Sequence, residues 1–245
     1  MYLGEKEKGE RRKMGKMIGV LLGAGKSSRM GKNKLAMKLK HGPVGHYALR
    51  SALMSNLDHI IFVGSDVILP SWVSGDLKNA FLQSLWSYHY SPESCVGMSH
   101  SLREGVRFAE ALEATAMMVI LADQPFQSAM LLNRMIITFN KRLPPFLGTS
   151  IHSATIPPVI ISGKLFSELH KLQGDHGARF LLEKYKDSYS IMEVHDPFYN
   201  FDIDTRDDFE MAGRIEAAME KENSKKRGAD GLEHLGEERR SKGGI

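Results

Sequence analysis

The sequence is poor in several features that define whole classes of protein. It has one cysteine, Cys95, in 245 residues. That excludes an intramolecular disulfide framework and a cysteine-built metal cluster, and it makes a reducing cytoplasm the expected setting. No apolar run approaches the roughly 20 residues that a membrane-spanning helix needs, so no membrane partner is expected. The opening segment, MYLGEKEKGERRKMGK, is charged and lacks the apolar stretch of a secretory signal. Basic residues gather in two end segments, Lys6 to Lys16 and Lys221 to Lys242, against a formal net charge of +4. Aromatic residues hardly interleave with them. The stacking platform of a nucleic-acid binder is therefore missing, and no nucleic-acid partner is expected. Ten histidines are scattered, with no His-x-x-x-His pair on a clear helix face. No grouping of serine, histidine and acid suggests a nucleophile triad, and there is no internal repeat.

What remains is an ordinary globular composition, 42% hydrophobic and 25% charged. It predicts one domain over residues 17–220, between a charged extension at 1–16 and a charged disordered tail at 221–245. Three continuous apolar runs, Met17 to Leu22, His59 to Gly64 and Met117 to Ala122, read as strands buried on both faces of a parallel sheet. Helical patterns separate them. Val44, Ala48 and Ala52 follow Pro43, and Leu102, Val106, Ala109 and Leu112 form a second apolar face. Ser128 opens a third pattern through Leu131, Leu132, Met135 and Ile136. Strand–helix–strand units of this kind make a right-handed α/β fold. Ser101 and Glu104, and again Thr205 and Asp208, have the spacing of helix N-terminal capping pairs. Between residues 65 and 92 only a helix over Leu77 to Leu85 is expected. Pro157-Pro158 is expected to precede a short strand, Val159 to Ser162, and a late strand is expected at Ser190 to Val194.

The stretch Met17 to Leu39 organises the chain. Its apolar strand runs into Gly23-Ala24-Gly25, and Lys26, Arg29, Lys32 and Lys34 follow closely. Glycines let a backbone approach an anion, helix N-terminal N–H groups point at it, and Lys and Arg neutralise it. A P-loop is excluded because Val20 stands where its first glycine belongs. A dinucleotide fingerprint is excluded because Ser28 stands where its third glycine belongs. The turn alone serves equally well as a ligand-free strand-to-helix connection. Asp123 follows directly on an apolar strand, where open α/β sheets place ligands, and Pro125 stiffens its turn. Asp204 lies between an extended stretch and a helix. Two such carboxylates aimed into one crevice suit Mg²⁺ beside phosphates. Taken alone, Asp204 reads as a helix N-terminal acid.

Leu22-Gly23-Ala24-Gly25 through Ser28-Arg29-Met30-Gly31 to Lys34 resembles the L-A-A-G-x-S-x-R-M-G-x-x-K signature of the NTP-transferase superfamily. More narrowly, the sequence resembles the molybdenum cofactor nucleotidyltransferases, which include accessory proteins of xanthine dehydrogenase. Gly97-Met98-Ser99-His100-Ser101-Leu102 is similar to their G-M-x-x-S-L segment. Leu121-Ala122-Asp123-Gln124-Pro125 is similar to their D-x-P metal motif. Gly174-Asp175-His176-Gly177-Ala178-Arg179 resembles G-D-x-G-A-R, and Asp202-Ile203-Asp204-Thr205 resembles the late D-I-D-T segment. The matches are in order over about residues 17–212. One departure is Gly23, where the family usually has alanine. In another, Val44-Gly45-His46 replaces a more apolar continuation. Neither removes a reacting group.

The resemblance implies a single-domain, three-layer, Rossmann-like nucleotidyltransferase of glycosyltransferase-A-like fold, with a mostly parallel central sheet. It implies that Leu22, Gly23, Ala24 and Gly25 hold the base and ribose of a nucleoside triphosphate. Arg29 and Lys34 would bind the triphosphate and steady charge on the leaving pyrophosphate. Asp123 and Asp204 would hold Mg²⁺, which makes Arg29, Lys34 and Asp123 the catalytic residues. Ser99, Ser101, Gly174, Asp175, Gly177 and Arg179 would face the acceptor, the molybdopterin cofactor. Within the family Ala24 points to CTP rather than GTP. Lys26 and Lys32 read as solvated surface. The implied reaction carries CMP from CTP to the terminal phosphate of Mo-molybdopterin, for a xanthine dehydrogenase-type molybdenum hydroxylase apoenzyme. Three alternatives stay open: the same fold with GTP or ATP, a sugar or polyol phosphate acceptor, and a non-enzymatic carrier of the cofactor.

Overall fold

The computed structural model describes residues 15–23, 33–95, 97–151, 154–173, 184–185 and 188–241. In chain order the strands are β1 (Met17–Leu22), β2 (Lys38–Leu39), β3 (Gly42–Pro43), β4 (His59–Gly64), β5 (Trp86–Tyr90), β6 (Ala116–Leu121), β7 (Phe146–Ile151), β8 (Ala154–Ser162) and β9 (Ser190–Glu193). The helices are α1 (Val44–Leu53), α2 (Gly75–Leu82), α3 (Met98–Ala111), α4 (Ala129–Arg142), α5 (Phe166–Leu169) and α6 (Arg206–Ser241), and a 3-10 turn spans Lys34–Ala36.

Among the described residues the central sheet has seven strands in the order β5-β4-β1-β6-β8-β7-β9. β5, β4, β1 and β6 are mutually parallel. β8 runs antiparallel to both β6 and β7, and β9 is parallel to β7. Within the parallel half β4, β1 and β6 are covered on both faces, which is why their sequences are almost wholly apolar. Met17 and Leu21 of β1 join Met118 and Ile120 of β6 under α1, α4 and α6. Ile18, Val20 and Leu22 join Met117 and Val119 under α3 and α5. The chain leaves β1 toward β4 on one side and reaches β6 on the other, so the carboxyl ends of β1 and β6 form the point where strand order reverses. Open α/β sheets leave a crevice there.

The mostly parallel α/β sheet matches the reading of the sequence, and four local features differ from it. β5 was not anticipated. It is an edge strand with Ser87, Tyr88 and His89 only partly buried, so its apolar signal is weak. β8 starts at Ala154 and passes through Pro157-Pro158. The prolines fall where the β7 register jumps from Gly148↔Val159 to Thr149↔Ile156, so neither is asked to donate a ladder hydrogen bond. Ser101 and Glu104 do not cap a helix. α3 begins at Met98 behind Gly97, Ser101 is buried inside it, and Glu104 pairs with Arg107 at 2.8 Å. The backbone expected to be disordered from residue 221 is helical as far as Ser241. Lysine, arginine and glutamate, which recur along it, are good helix formers.

The start of α6 does more than cover the sheet. Ala212 and Ile215 enter the core, and the buried Glu216 accepts from the Lys40 N–H at 2.9 Å and from the Tyr47 hydroxyl. Glu220 pairs with Lys40 and His41 on the turn between β2 and β3. The helix thereby holds the hairpin that follows the 3-10 turn.

Gly23 is required by its neighbour. A Cβ at this position would lie 2.2 Å from the Phe62 ring. Phe62 in turn packs among Trp72, Trp86 and Tyr88, so it has nowhere to retreat. Gly23→Ala is therefore expected to cost about 1–3 kcal/mol by overpacking, a fall of several degrees in melting temperature. Phe62→Leu in the same chain should recover part of it, so that the double variant melts above the sum of the two single losses. Strict additivity in thermal melts would contradict this packing.

Candidate functional site

Three segments meet at the carboxyl ends of β1 and β6. The first is the 3-10 turn. Asn33 Oδ1 accepts the Leu35 N–H at 3.1 Å and starts the turn, which turns the Lys34 side chain inward. The second is the residue pair after β6. The Ala122 N–H donates to the Leu22 carbonyl at 2.9 Å, which extends the pairing of the two strands and places Asp123 at the crevice. The third is the approach to α6. The Ile203 N–H donates to the Asp123 carbonyl at 3.2 Å, and Ile203 is fully buried. Asp204 follows immediately.

The side chains then converge. The Lys34 ammonium donates to Asp123 Oδ2 at 2.6 Å and to Asp204 Oδ1 at 2.8 Å. Lys34 is 7% exposed, Asp123 20% and Asp204 50%, so the charge sits under a half-open mouth. Burial by itself would lower the lysine's pKa, but the Asp123 carboxylate and then Asp204 outweigh it and raise it above the usual value. Lys34 is held firmly cationic.

The position of Asp204 is set by the cap of α6. Thr205 Oγ1 accepts the Asp208 N–H at 3.2 Å, and Asp208 Oδ2 accepts the N–H groups of Thr205 at 2.7 Å and Asp204 at 3.1 Å. This is the reciprocal pattern expected from the Thr205–Asp208 spacing. Those bonds, the Thr205 hydroxyl first, hold the Asp208 carboxyl below the ordinary range.

The sequence reading did not assign a role to Asp202. Gln124 Nε2 donates to its Oδ1 at 2.8 Å, and Gln127 donates to Gln124, both glutamines being buried. Burial of the carboxyl, then the charges of Asp123 and Asp204, push Asp202 up to about 6, although the residue as a whole is exposed to solvent. A signal was present. Buried Ile203 between two aspartates in an extended segment puts Asp202 and Asp204 on the same side of the chain.

The other sequence-predicted residues fall as follows. Leu22 is buried at the end of β1. The Gly23 N–H donates to the Val63 carbonyl at 2.9 Å, so this amide is committed to the sheet. Ser99 and Ser101 are buried in the first turns of α3, and no hydrogen-bond partner of Ser99 Oγ is present among the described residues. Arg103 Nη1 donates to the Leu172 carbonyl at 2.9 Å, bringing the chain just before residue 174 against α3. Ala24, Gly25, Arg29, Gly174, Asp175, Gly177 and Arg179 lie outside the described residues. None of the described helices is long and apolar enough to cross a membrane.

Residues 19–189 match the MobA-like NTP transferase domain. The chain is 36% identical over 200 residues to the purine catabolism protein PucB of Bacillus subtilis (strain 168), covering 81% of this chain and 96% of PucB. Among solved structures, Rv0371c of Mycobacterium tuberculosis H37Rv superposes with a TM-score of 0.66 at 21% identity, over 82% of this chain and 99% of that one. Rv0371c has also been solved in complex with manganese, with a TM-score of 0.60 over 80% of this chain and 97% of that one. A CMP:2-keto-3-deoxy-manno-octonic acid synthetase complexed with CTP superposes with a TM-score of 0.63 at 11% identity, over 83% and 99%. At these identities the solved structures speak for the fold.

The Asp202 environment has a consequence for stability. Its carboxyl titrates near 3.8 when unperturbed and near 6 in the folded chain. Between those values the folded chain holds the extra proton, so stability from this group is fully present below the lower value and is lost as pH rises through about 6. Asp202→Asn removes the dependence. Its melting temperature relative to the unaltered chain should rise from pH 4 to pH 7 in metal-free buffer, and a constant difference would contradict the assignment.

Proposed function

The chain belongs to the MobA-like NTP transferase domain family, and on that footing we propose that it transfers CMP from CTP to the terminal phosphate of Mo-molybdopterin, releasing pyrophosphate. The reaction class, nucleotidyl transfer, is the family's own. The finer reading rests on one observation above all: Lys34 held between Asp123 and Asp204 at the crevice where the strand order reverses. Two carboxylates there present oxygens to one cation, the Lys34 ammonium, carried on the turn that precedes β2.

The donor set fits a divalent metal. Mg²⁺ takes one or two carboxylates, with phosphate oxygens and water completing its shell, and Asp123 and Asp204 are such a pair. Bound there, Mg²⁺ would withdraw charge from the triphosphate. The manganese complex of Rv0371c and the CTP complex of the octonic acid synthetase support a metal-nucleotide ligand for this fold. PucB's place in purine catabolism supports a xanthine dehydrogenase-type client. Ala24, from the resemblance, supports CTP.

The chemistry asks for no side-chain nucleophile. A terminal phosphate oxygen of the acceptor forms a bond to the α-phosphorus while the bond to the β-phosphate oxygen breaks, and pyrophosphate leaves in line. The protein's task is to position and to compensate charge. Lys34 would meet the triphosphate and the departing pyrophosphate, a role that the resemblance also gives to Arg29, which lies outside the described residues. Asp204, fixed by the Thr205–Asp208 cap, holds the site's open side. Gln124 occupies one oxygen of Asp202 by donating to it. Ser99 and Ser101 would lie on the acceptor side, as the resemblance implies.

Pyrophosphate release should occur with CTP and not with GTP or ATP, and only when molybdenum cofactor is added. Asp123→Asn should lower that rate by at least about 100-fold, the scale of losing a preorganised electrostatic contact. Release with a sugar or polyol phosphate in place of the cofactor would transfer the reading to that acceptor. No release with any nucleotide would replace it with a cofactor carrier.

A further inference from the structure

A second cluster of titratable groups lies away from the crevice, at the β5 edge of the sheet. Ile61 and Val63 of β4 face α3, and Ser87 and His89 of β5 are their register partners on that face. His59 stands two residues before Ile61 and so points the same way. The two imidazoles converge on one hydroxyl. His59 Nε2 lies 3.0 Å from Ser87 Oγ, and His89 Nε2 lies 2.9 Å from the same atom. All three residues are half-buried. His89 also stacks on Phe108 of α3, with ring centroids 3.5 Å apart, and the Arg107 guanidinium lies over the Phe108 ring at 4.2 Å. A hydroxyl has one hydrogen to give, so Ser87 donates to one imidazole and accepts from the other. The Ser84 backbone carbonyl accepts from the His59 ring, which makes His59 the ring that receives the Ser87 hydrogen and His89 the ring that donates. With both rings charged, both Nε2 atoms are donors, and the Ser87 hydrogen has no ring to go to.

We propose that the His59–Ser87–His89 chain is a pH-sensitive latch, which fastens the edge strand β5 to β4 and α3 and releases it as the medium turns acid. The surroundings oppose a positive charge on either ring. Lys16 faces His59, and Arg107 and His59 face His89. Glu104 acts on His89 in the other sense, but it is already bound to Arg107 at 2.8 Å. Asp58, next to His59 in the chain, is bound to the Met17 N–H at 2.7 Å. Burial first, and these cations second, hold both imidazoles below the ordinary 6.5. Opening the edge returns the rings to water and to that ordinary value. The closed edge binds their protons less well than the open one, so acid favours the open form. The latch therefore holds fully above about 6.5 and weakens as pH falls below it. What it frees is the lead into α3. The Ser91 N–H donates to the Gly64 carbonyl at 2.9 Å where β5 ends, and only the short turn Pro92–Cys95 separates that point from Gly97 and α3.

Hydrogen exchange of the whole chain, read by mass spectrometry and corrected for the intrinsic effect of pH, tests the latch. Between pH 7 and pH 5 the opening constant of residues 85–91 should rise about ten-fold more than that of residues 17–22, because opening takes up at least one proton. β1 serves as the reference, since a change in global stability, such as the one Asp202 brings, moves both strands together. A double variant, His59→Gln with His89→Gln, should lose the excess at β5. An equal response of the two strands in the unaltered chain overturns the latch, and so does an excess that survives in the double variant. If the double variant does not fold, the ring proton resonances of His59 and His89 in the unaltered chain decide. Both should titrate below 6.5, the ordinary value of an imidazole. A midpoint at or above that value for either ring overturns the latch.

Discussion

The ion pair that Lys34 makes with Asp123 and Asp204 ties together parts of the chain that are 89 and 170 residues apart. Taking an ammonium out of water costs several kcal/mol unless anions replace the water. Here two do, and the result is a lysine whose charged form is favoured in spite of its burial. The neighbouring structure serves that arrangement. The bond from Ala122 to Leu22 sets Asp123 in place, the bond from Ile203 to Asp123 brings the last segment in, and the Thr205–Asp208 cap orients Asp204.

The sheet explains why this meeting place exists. β1 is flanked by β4 on one side and β6 on the other, and the helices that lead into those two strands, α1 and α3, lie in different layers. A crevice at the strand ends is the geometric result. Its floor is tightly packed. Phe62 presses on the position of Gly23, and Gly105 of α3 leaves room for Val20 of β1, whose Cγ1 would stand 2.4 Å from a Cβ there. The missing methyl of Gly23, a departure from the family signature when viewed in sequence, is answered by the bulk of Phe62 across the strand pair.

Legibility followed the strength of the physical signal. Strands buried on both faces are almost wholly apolar, so β1, β4 and β6 were visible as continuous runs. Ser128 was recognisable as a helix start because a capping side chain works through local spacing, and its Oγ does accept the Leu131 N–H at 3.2 Å. β5 was not visible, since an edge strand with polar residues carries little period-two contrast. Ser101 misled for a related reason. A serine three residues before a glutamate has the capping spacing anywhere, and only the packing of α3 against β1 shows that the helix has already begun. Asp202 had a sequence signal in its alternation with Ile203, but its perturbed carboxyl depends on Gln124, Gln127 and two distant aspartates.

By itself the sequence determined the α/β class, the positions of the buried strands, and the chemical character of the residues at their ends, because hydrophobic periodicity and side-chain chemistry are local properties. The ordered motifs also carried the family. Tertiary structure alone decided that Lys34 faces two carboxylates, that Gly23's amide belongs to the sheet, and that Leu172 is drawn to Arg103. Those outcomes depend on which remote segments end within hydrogen-bonding distance of one another. The opposing charges of Lys34, Asp123 and Asp204 can be read one at a time along the chain, but the energy that couples them arises only at contact, where water has been removed.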